Sequence, residues 1–274
     1  MATSTRRVLP GFYLSFSFTL MYLSLLVLVP LAACFLKAFT LTPSKFWAAI
    51  WTERALAAYR FSLFAAITSA LASIVLGLLI AWVLVRYEFP LKRVFDSLVD
   101  LPFALPTAVA GLVYSSLYVE NGWLGQFLVP LGIYGSYSRF AVVLVLTFLG
   151  IPFVVRTLQP VLESFEADTE EAAYLLGASR GQTFLRVILP GLLPALITGF
   201  ALSLARGLGE YGSVVFVSGN MPFKTEIAPV LIVARLEEFA YAEATAIAVV
   251  LLGISFTMLI IVNLLERWSA RHYA

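Results

Sequence analysis

The sequence predicts an all-α polytopic membrane protein with six transmembrane helices. Three observations lead there. Hydrophobic residues make up 61% of the 274-residue chain, and the mean hydropathy is +0.94. Charged residues make up only 12%, against about 25% in soluble domains, so the chain cannot cover a surface that faces water on all sides. Finally, several apolar stretches reach the ~20 residues needed to cross a bilayer.

The first span is expected at 12–36, after a cytoplasmic N-terminus of residues 1–11. Arg6 and Arg7 precede it as in a signal peptide, but the apolar stretch exceeds the roughly 7–15 residues of a cleavable segment. It therefore reads as an uncleaved helix. Further spans are expected at 60–85, 95–119, 139–160, 186–210 and 243–265. The third opens on Asp96 and Asp100 and carries Pro102 and Pro106. Residues 40–59, with Trp47 and Trp51, suit a helix lying at the interface. Residues 120–138 are rich in glycine and proline and read as a loop. Residues 218–242 include a mixed-charge helix near Ala234–Glu243. Residues 267–274 form a cytoplasmic tail.

Loop charges set the orientation. With the N-terminus inside, ten Lys and Arg residues are cytoplasmic and seven are outside, with Arg206 in a span. Both termini and the polar loop 163–186 then lie in the cytosol. The net charge of +2 and the lack of a long basic run argue against a nucleic-acid partner. One cysteine, Cys34, excludes an internal disulfide, and the one histidine, His272, is near the C-terminus. With no further Cys or His, neither a catalytic residue nor a metal ligand can be proposed.

The loop 163–186 is the longest strongly polar stretch. Asp168 followed by Glu171 fits an N-cap with its capping box. Gly177 then ends the helix, and Ser179 with Gln182 starts a second one that enters the fifth span. Tyr174, Leu175 and Leu176 give the first helix an apolar face. Ala172, Ala173 and Ala178 permit close approach by another protein. On these grounds alone the segment is either an ordinary amphipathic loop helix or a docking surface. Glycine-rich phosphate loops ending in Gly-Lys are absent, since none of the four lysines follows a glycine. ATP would have to be handled elsewhere.

Two other segments are unusual. Pro102 and Pro106, followed by Thr107, sit near the start of the third span. They mark either a structural kink or a backbone opened toward a wet cavity. Arg206 and Glu210 lie four apart on one helix face, ahead of Ser213. Charges at this depth are costly. They form either an interfacial ion pair or part of an outer gate and anion path, with Arg206 as the candidate anion contact.

Glu171-Ala172-Ala173, Gly177 and Ile188-Leu189-Pro190 together resemble the loop by which importer-type ABC permeases meet their ATPase. Leu101–Gly111, Ala205–Pro222 and Glu226-Ile227-Ala228-Pro229 resemble the sulfate/molybdate permeases, closest to the T-type subunits of sulfate/thiosulfate importers. The resemblance implies a type I ABC importer permease fold, with a permease core at 59–266. It implies ATPase coupling through Glu171, Ala172, Ala173, Tyr174, Leu175, Gly177, Ile188, Leu189 and Pro190. It also implies a W-type permease partner, a homodimeric cytosolic ATPase holding ATP and Mg, and a periplasmic sulfate- or thiosulfate-binding protein. The chain itself would hold no cofactor. A molybdate or tungstate permease is the near alternative. An ion-coupled secondary transporter lacks support because no internal repeat is visible, and a membrane enzyme because no reactive cluster is.

Overall fold

The computed structural model describes residues 11–165 and 167–273, the side chains of 167, 168 and 268–273 excepted. Its elements are helical throughout. Helix α1 spans Phe12–Ala38 with a π-turn at Ser24–Leu28. Then follow α2 (Pro43–Ile50), α3 (Glu53–Arg86), α4 (Lys92–Val99), α5 (Leu101–Ala104) and α6 (Thr107–Tyr118). Next come α7 (Gly125–Leu128), α8 (Arg139–Glu163), α9 (Ala167–Leu175) and α10 (Arg180–Leu208). Finally α11 (Val214–Val217), α12 (Ala228–Glu237) and α13 (Tyr241–Tyr273) complete the described chain.

Among the described residues, five helices are long and apolar enough to cross a membrane: α1, α3, α8, α10 and α13. The expected third span at 95–119 is not one helix. It is divided into α4, α5 and α6. Pro106 causes the break between α5 and α6: it has no N–H to continue the ladder, and it forces the preceding Leu105 into extended backbone, φ −79° and ψ 130°. Two other expectations also shift. The outer segment 40–59 gives its last residues to α3, which starts at Glu53 behind a Thr52 cap that accepts from the Ala55 N–H at 3.1 Å. The mixed-charge helix expected near 234–243 ends at Glu237, because Phe239 adopts a left-handed φ of 60° before α13 begins.

Helices α3, α8 and α10 form the centre, with α8 the most enclosed of the five long helices. Lipid tails are as apolar as leucine, so burying leucine against leucine drives little association inside a bilayer. Close approach and interhelical hydrogen bonds do more. The buried face of α3 supplies both, being built largely of Ala58, Ser62, Ala66, Ser69, Ala70, Ser73, Gly77 and Ala81. The Ser73 hydroxyl lies 2.8 Å from the Ser69 carbonyl of its own helix and 3.1 Å from the Thr147 carbonyl of α8. Larger residues fill one end of this seam, where Leu158, Leu162, Ile188 and Leu192 pack together.

The bundle has two ends. One carries Arg86, Glu163 and the α9–α10 turn, here termed the loop end. At the far end lie Arg54, Arg139 and residues 218–227. Charged pairs fasten both. At the loop end, Arg156 of α8 holds Asp100 through two nitrogens at 2.8 and 2.6 Å and reaches Asp96 at 2.7 Å. That places α4 and the start of α5 against α8. At the far end, Arg54 grips Glu226 in a fork of 2.8 and 2.7 Å.

Candidate functional site

The α9–α10 turn is shaped by its last helical residues. The Ala178 N–H donates to the Ala173 carbonyl at 3.0 Å, and the Gly177 N–H to the Tyr174 carbonyl at 2.9 Å. This pair of bonds closes a helix C-terminus in the Schellman pattern, which needs a left-handed residue at its turn. Gly177 supplies it with φ +81°. Ser179 and Gln182 then form the expected capping box: the Ser179 N–H donates to Gln182 Oε1 at 2.9 Å, and the Gln182 N–H to Ser179 Oγ at 3.4 Å. The cap expected at Asp168 concerns a side chain outside the described residues. The helix already includes Ala167.

Between these caps the chain exposes an apolar tip. Tyr174 is 77% exposed, Leu175 84% and Leu176 89%. Glu171, Ala172 and Gly177 are exposed beside them, and Ala173 is half-buried. Such a cluster is an exposed apolar patch on an otherwise polar turn, the kind of surface that interaction sites present. Ile188, Leu189 and Pro190 lie elsewhere. They belong to α10, where a π-turn covers Phe184–Ile188 and Ile188 is buried among the leucines of α8 and α10. Pro190 follows that turn and lacks the N–H that would bond to the Arg186 carbonyl, the usual reason for a local widening of the helix. The matched loop thus divides into an exposed tip and a yielding root.

The second candidate group comes together from distant sequence. Helix α10 stops at Leu208, with Gly209 as its cap, and the chain turns through Glu210–Ser213 into α11. This turn lies on the start of α6. A β-carbon on Gly212 would strike the Thr107 hydroxyl, and one on Gly111 would come within 2.8 Å of the Ser213 Cα. Thr107, Gly111, Glu210 and Ser213 therefore share one packed junction. Pro106 sets its angle by starting α6. Pro102 sits apart, in a groove of about 550 Å³ lined by Leu79, Val83, Phe95, Phe148 and Ile151, so its surroundings are apolar.

Glu210 is the buried charge of this junction, 2% exposed. It is satisfied on several sides. The Ser213 N–H and hydroxyl lie 2.9 and 3.0 Å from Oε1, and Arg206 forms an ion pair with Oε2. A buried carboxylate is tolerable only with such partners. The Arg206 side chain keeps 34% of its surface. A guanidinium has five N–H donors, so donors remain for an anion.

Sequence reasoning missed the pairs that fasten the bundle. Arg54 and Glu226 stand 172 residues apart, and Arg156 and Asp96 stand 60 apart. The available signal was chemical: charges beside apolar spans need partners, and Arg54, Arg156, Asp96 and Asp100 all qualify.

Long apolar helices, an exposed apolar turn and a broken helix packed beside the Arg206–Glu210 pair are the features of a polytopic membrane protein. Residues 73–273 match the family described as the binding-protein-dependent transport system inner membrane component, and the chain belongs to that family. Its relatives include the sulfate transport system permease protein CysT of Synechocystis, 48% identical, with 93% of this chain and 89% of the relative covered. The CysT protein of Salmonella typhimurium is 46% identical, with 99% and 98% covered. That of Escherichia coli K12 is 45% identical, with 98% of each covered. Among solved structures, a bacterial ABC transporter involved in import of the polysaccharide alginate has a similar chain, with TM-score 0.74, 18% identity and 93% and 94% coverage. The MetNI methionine ABC transporter gives TM-score 0.57, 16% identity and 85% and 100% coverage. The fold is that of a type I ABC importer permease, and the chain is a multi-pass inner-membrane permease subunit.

Proposed function

We propose that this chain translocates sulfate or thiosulfate as the T-type permease subunit of an ATP-driven importer. The observation that carries the reading is the Glu171–Gly177 tip, an apolar surface exposed outside the bundle where a separate motor protein can seat it. Near-complete coverage of the sulfate permease relatives supports the choice of substrate. A cytosolic ATPase dimer, with ATP and Mg, would grip this tip. A W-type permease would complete the pore, and a periplasmic sulfate- or thiosulfate-binding protein would deliver the anion. The central stretch of helix α1 has none of its residues buried in this chain, an apolar surface that lipid or the second permease would cover. Both termini would then be cytoplasmic, with the loop end facing the cytosol.

Transport follows from alternating access. ATP-driven closure of the ATPase displaces the tip, the spans move with it, and the junction of α6 with the 206–213 turn opens or shuts. In this reading Arg206 offers its spare N–H donors to the anion, while Glu210 holds the guanidinium and offsets part of its charge. The pull on a dianion stays moderate, so the ion can leave. The residues would act by binding and orienting, with no covalent step.

The test is labelled sulfate uptake by the full importer in proteoliposomes, with the binding protein outside and ATP inside. Thiosulfate should compete and molybdate should not. Arg206→Ala should lower uptake at least tenfold when normalised to the permease present, since a charge-assisted contact is worth about 1.5–3 kcal/mol; the variant also removes the cationic partner of buried Glu210 and should lower the protein level. Uptake unchanged in that variant removes Arg206 from the path. Competition by molybdate alone transfers the chain to the molybdate permeases.

A further inference from the structure

We propose that α3 is the rod that carries movement of the coupling tip to the far end of the bundle, and that Arg86 and Arg54 are the positioning residues that tie it at its two ends. The inference rests on the reading of the α9–α10 turn as the site gripped by the ATPase.

Helix α3 has the necessary length and stiffness. Its 34 residues give roughly 50 Å at 1.5 Å per residue. Of the three central helices it alone carries neither a proline nor a π-turn. Pro152 and Pro160 lie inside α8, and α10 carries a π-turn with Pro190 and Pro194. Prolines and π-turns are where helices bend, so displacement along α3 arrives with the least loss.

At the loop end, Arg86 is the last residue of α3. Its Nη2 donates to Glu170 on α9, in an ion pair whose side chains are 24% and 32% exposed. The same guanidinium lies 5.3 Å from the ring centroid of Trp82, one turn back on α3, a distance that gives a cation–π contact. The Trp82 ring meets Phe184 edge to face, with centroids 5.5 Å apart. Phe184 opens the π-turn of α10. A single guanidinium and one indole thus connect the lever helix, the rod and the yielding root of α10. Between them lies a cavity of about 280 Å³, bounded by Trp82, Glu170, Tyr174, Arg180, Phe184 and Ile188. It leaves α9 room to tilt.

At the far end the tie is double. Arg54 forks onto Glu226, whose side chain is 3% exposed. About two turns further along α3, Ser62 accepts from the Ala228 N–H at 2.8 Å. Residues 226–228 are the continuation of the segment that begins at the Glu210–Ser213 junction. A push on α9 therefore reaches this segment through α3 without crossing a flexible joint. The two ties differ in strength. The far one is bidentate onto a buried carboxylate, whereas Arg86 engages Glu170 through one nitrogen and leaves its Nε buried without a partner. Two parallel bonds fix geometry better than one, so the loop-end tie is the one a moving lever would strain.

The full importer, with both permeases, ATPase and binding protein, tests this in proteoliposomes. R86Q should keep the ATPase bound and its basal hydrolysis within twofold, yet lose at least fivefold of the stimulation by sulfate-loaded binding protein and tenfold of sulfate uptake. Swapping the charges, R86E with E170R, should recover at least half of the stimulation. If R86Q does not accumulate, E170Q cuts the same tie from the exposed side and should show the same loss of stimulation. Stimulation within twofold of wild type in R86Q or E170Q overturns the proposal. Gly177→Val separates the two readings. If it abolishes stimulation while R86Q and E170Q do not, the rod alone is wrong. If all three leave stimulation intact, the coupling turn itself has been misassigned.

Discussion

Gly177→Val is expected to lower sulfate import at least tenfold while the permease still reaches the membrane. Gly177 sits at φ +81°, where a side chain costs about 1–2 kcal/mol and a β-branched one is worst placed. The Schellman bonds of Gly177 and Ala178 depend on that conformation. A β-carbon there meets nothing within 4 Å in this chain, so the substitution leaves the bundle's packing alone. Its effects fall on the direction in which α9 points and on whatever protein seats against the turn. ATPase stimulation by the loaded binding protein, measured beside uptake, checks this. Loss of stimulation with preserved protein level is the expected outcome, and full stimulation contradicts it.

Gly111→Leu should act at the other candidate group, and through stability. Its β-carbon would lie 2.8 Å from the Ser213 Cα and 3.0 Å from the Ser213 carbonyl carbon. These are backbone atoms, which cannot swing aside as a long side chain can. Overpacking of a close contact costs ~1–3 kcal/mol. Here the displaced residue also provides two of the hydrogen bonds to buried Glu210, and stripping partners from a buried charge costs ~3–5 kcal/mol. The combined loss should lower the melting temperature of the permease complex in detergent, deplete it from the membrane, and abolish uptake. Gly111→Ala should fall between. A Gly111→Leu protein with normal levels and uptake would show that the Thr107–Ser213 junction is not packed this way.

How much of this was legible in the sequence depended on the range of the interaction. The turn at Gly177 could be read because caps act within a few residues, and Ser179 with Gln182 announces the second helix directly. The long helices could be read because their apolar stretches match a bilayer. Some ends could not: α8 starts at Arg139 as expected, but α3 runs back to Glu53, since hydropathy measures where lipid begins and not where hydrogen bonding stops. At Pro102 and Pro106 the same reasoning overreached. The stretch 95–119 is apolar enough to suggest one helix, but backbone geometry at Leu105 divides it. Glu210 illustrates the opposite case. Its partner Arg206 was visible four residues away, whereas its contact with α6 through Ser213 and Gly111 was not, because no local rule brings residues 111 and 213 together. Arg86 was plain as a charge at the end of a span, but its partner Glu170 lies 84 residues on.

The proposed coupling requires the α9–α10 tip to lie in the cytosol and to be held by the ATPase. Cys34 is the one native cysteine, so Cys34→Ser gives a clean background for Leu175→Cys, a position that is 84% exposed. In the assembled importer this cysteine should react with a membrane-impermeant maleimide from the cytosolic side only. It should also crosslink to single cysteines placed along the ATPase surface that faces the membrane, with a yield that changes on ATP addition. Labelling from the periplasmic side, or the absence of any crosslink to an ATPase that co-purifies with the permease, would contradict it.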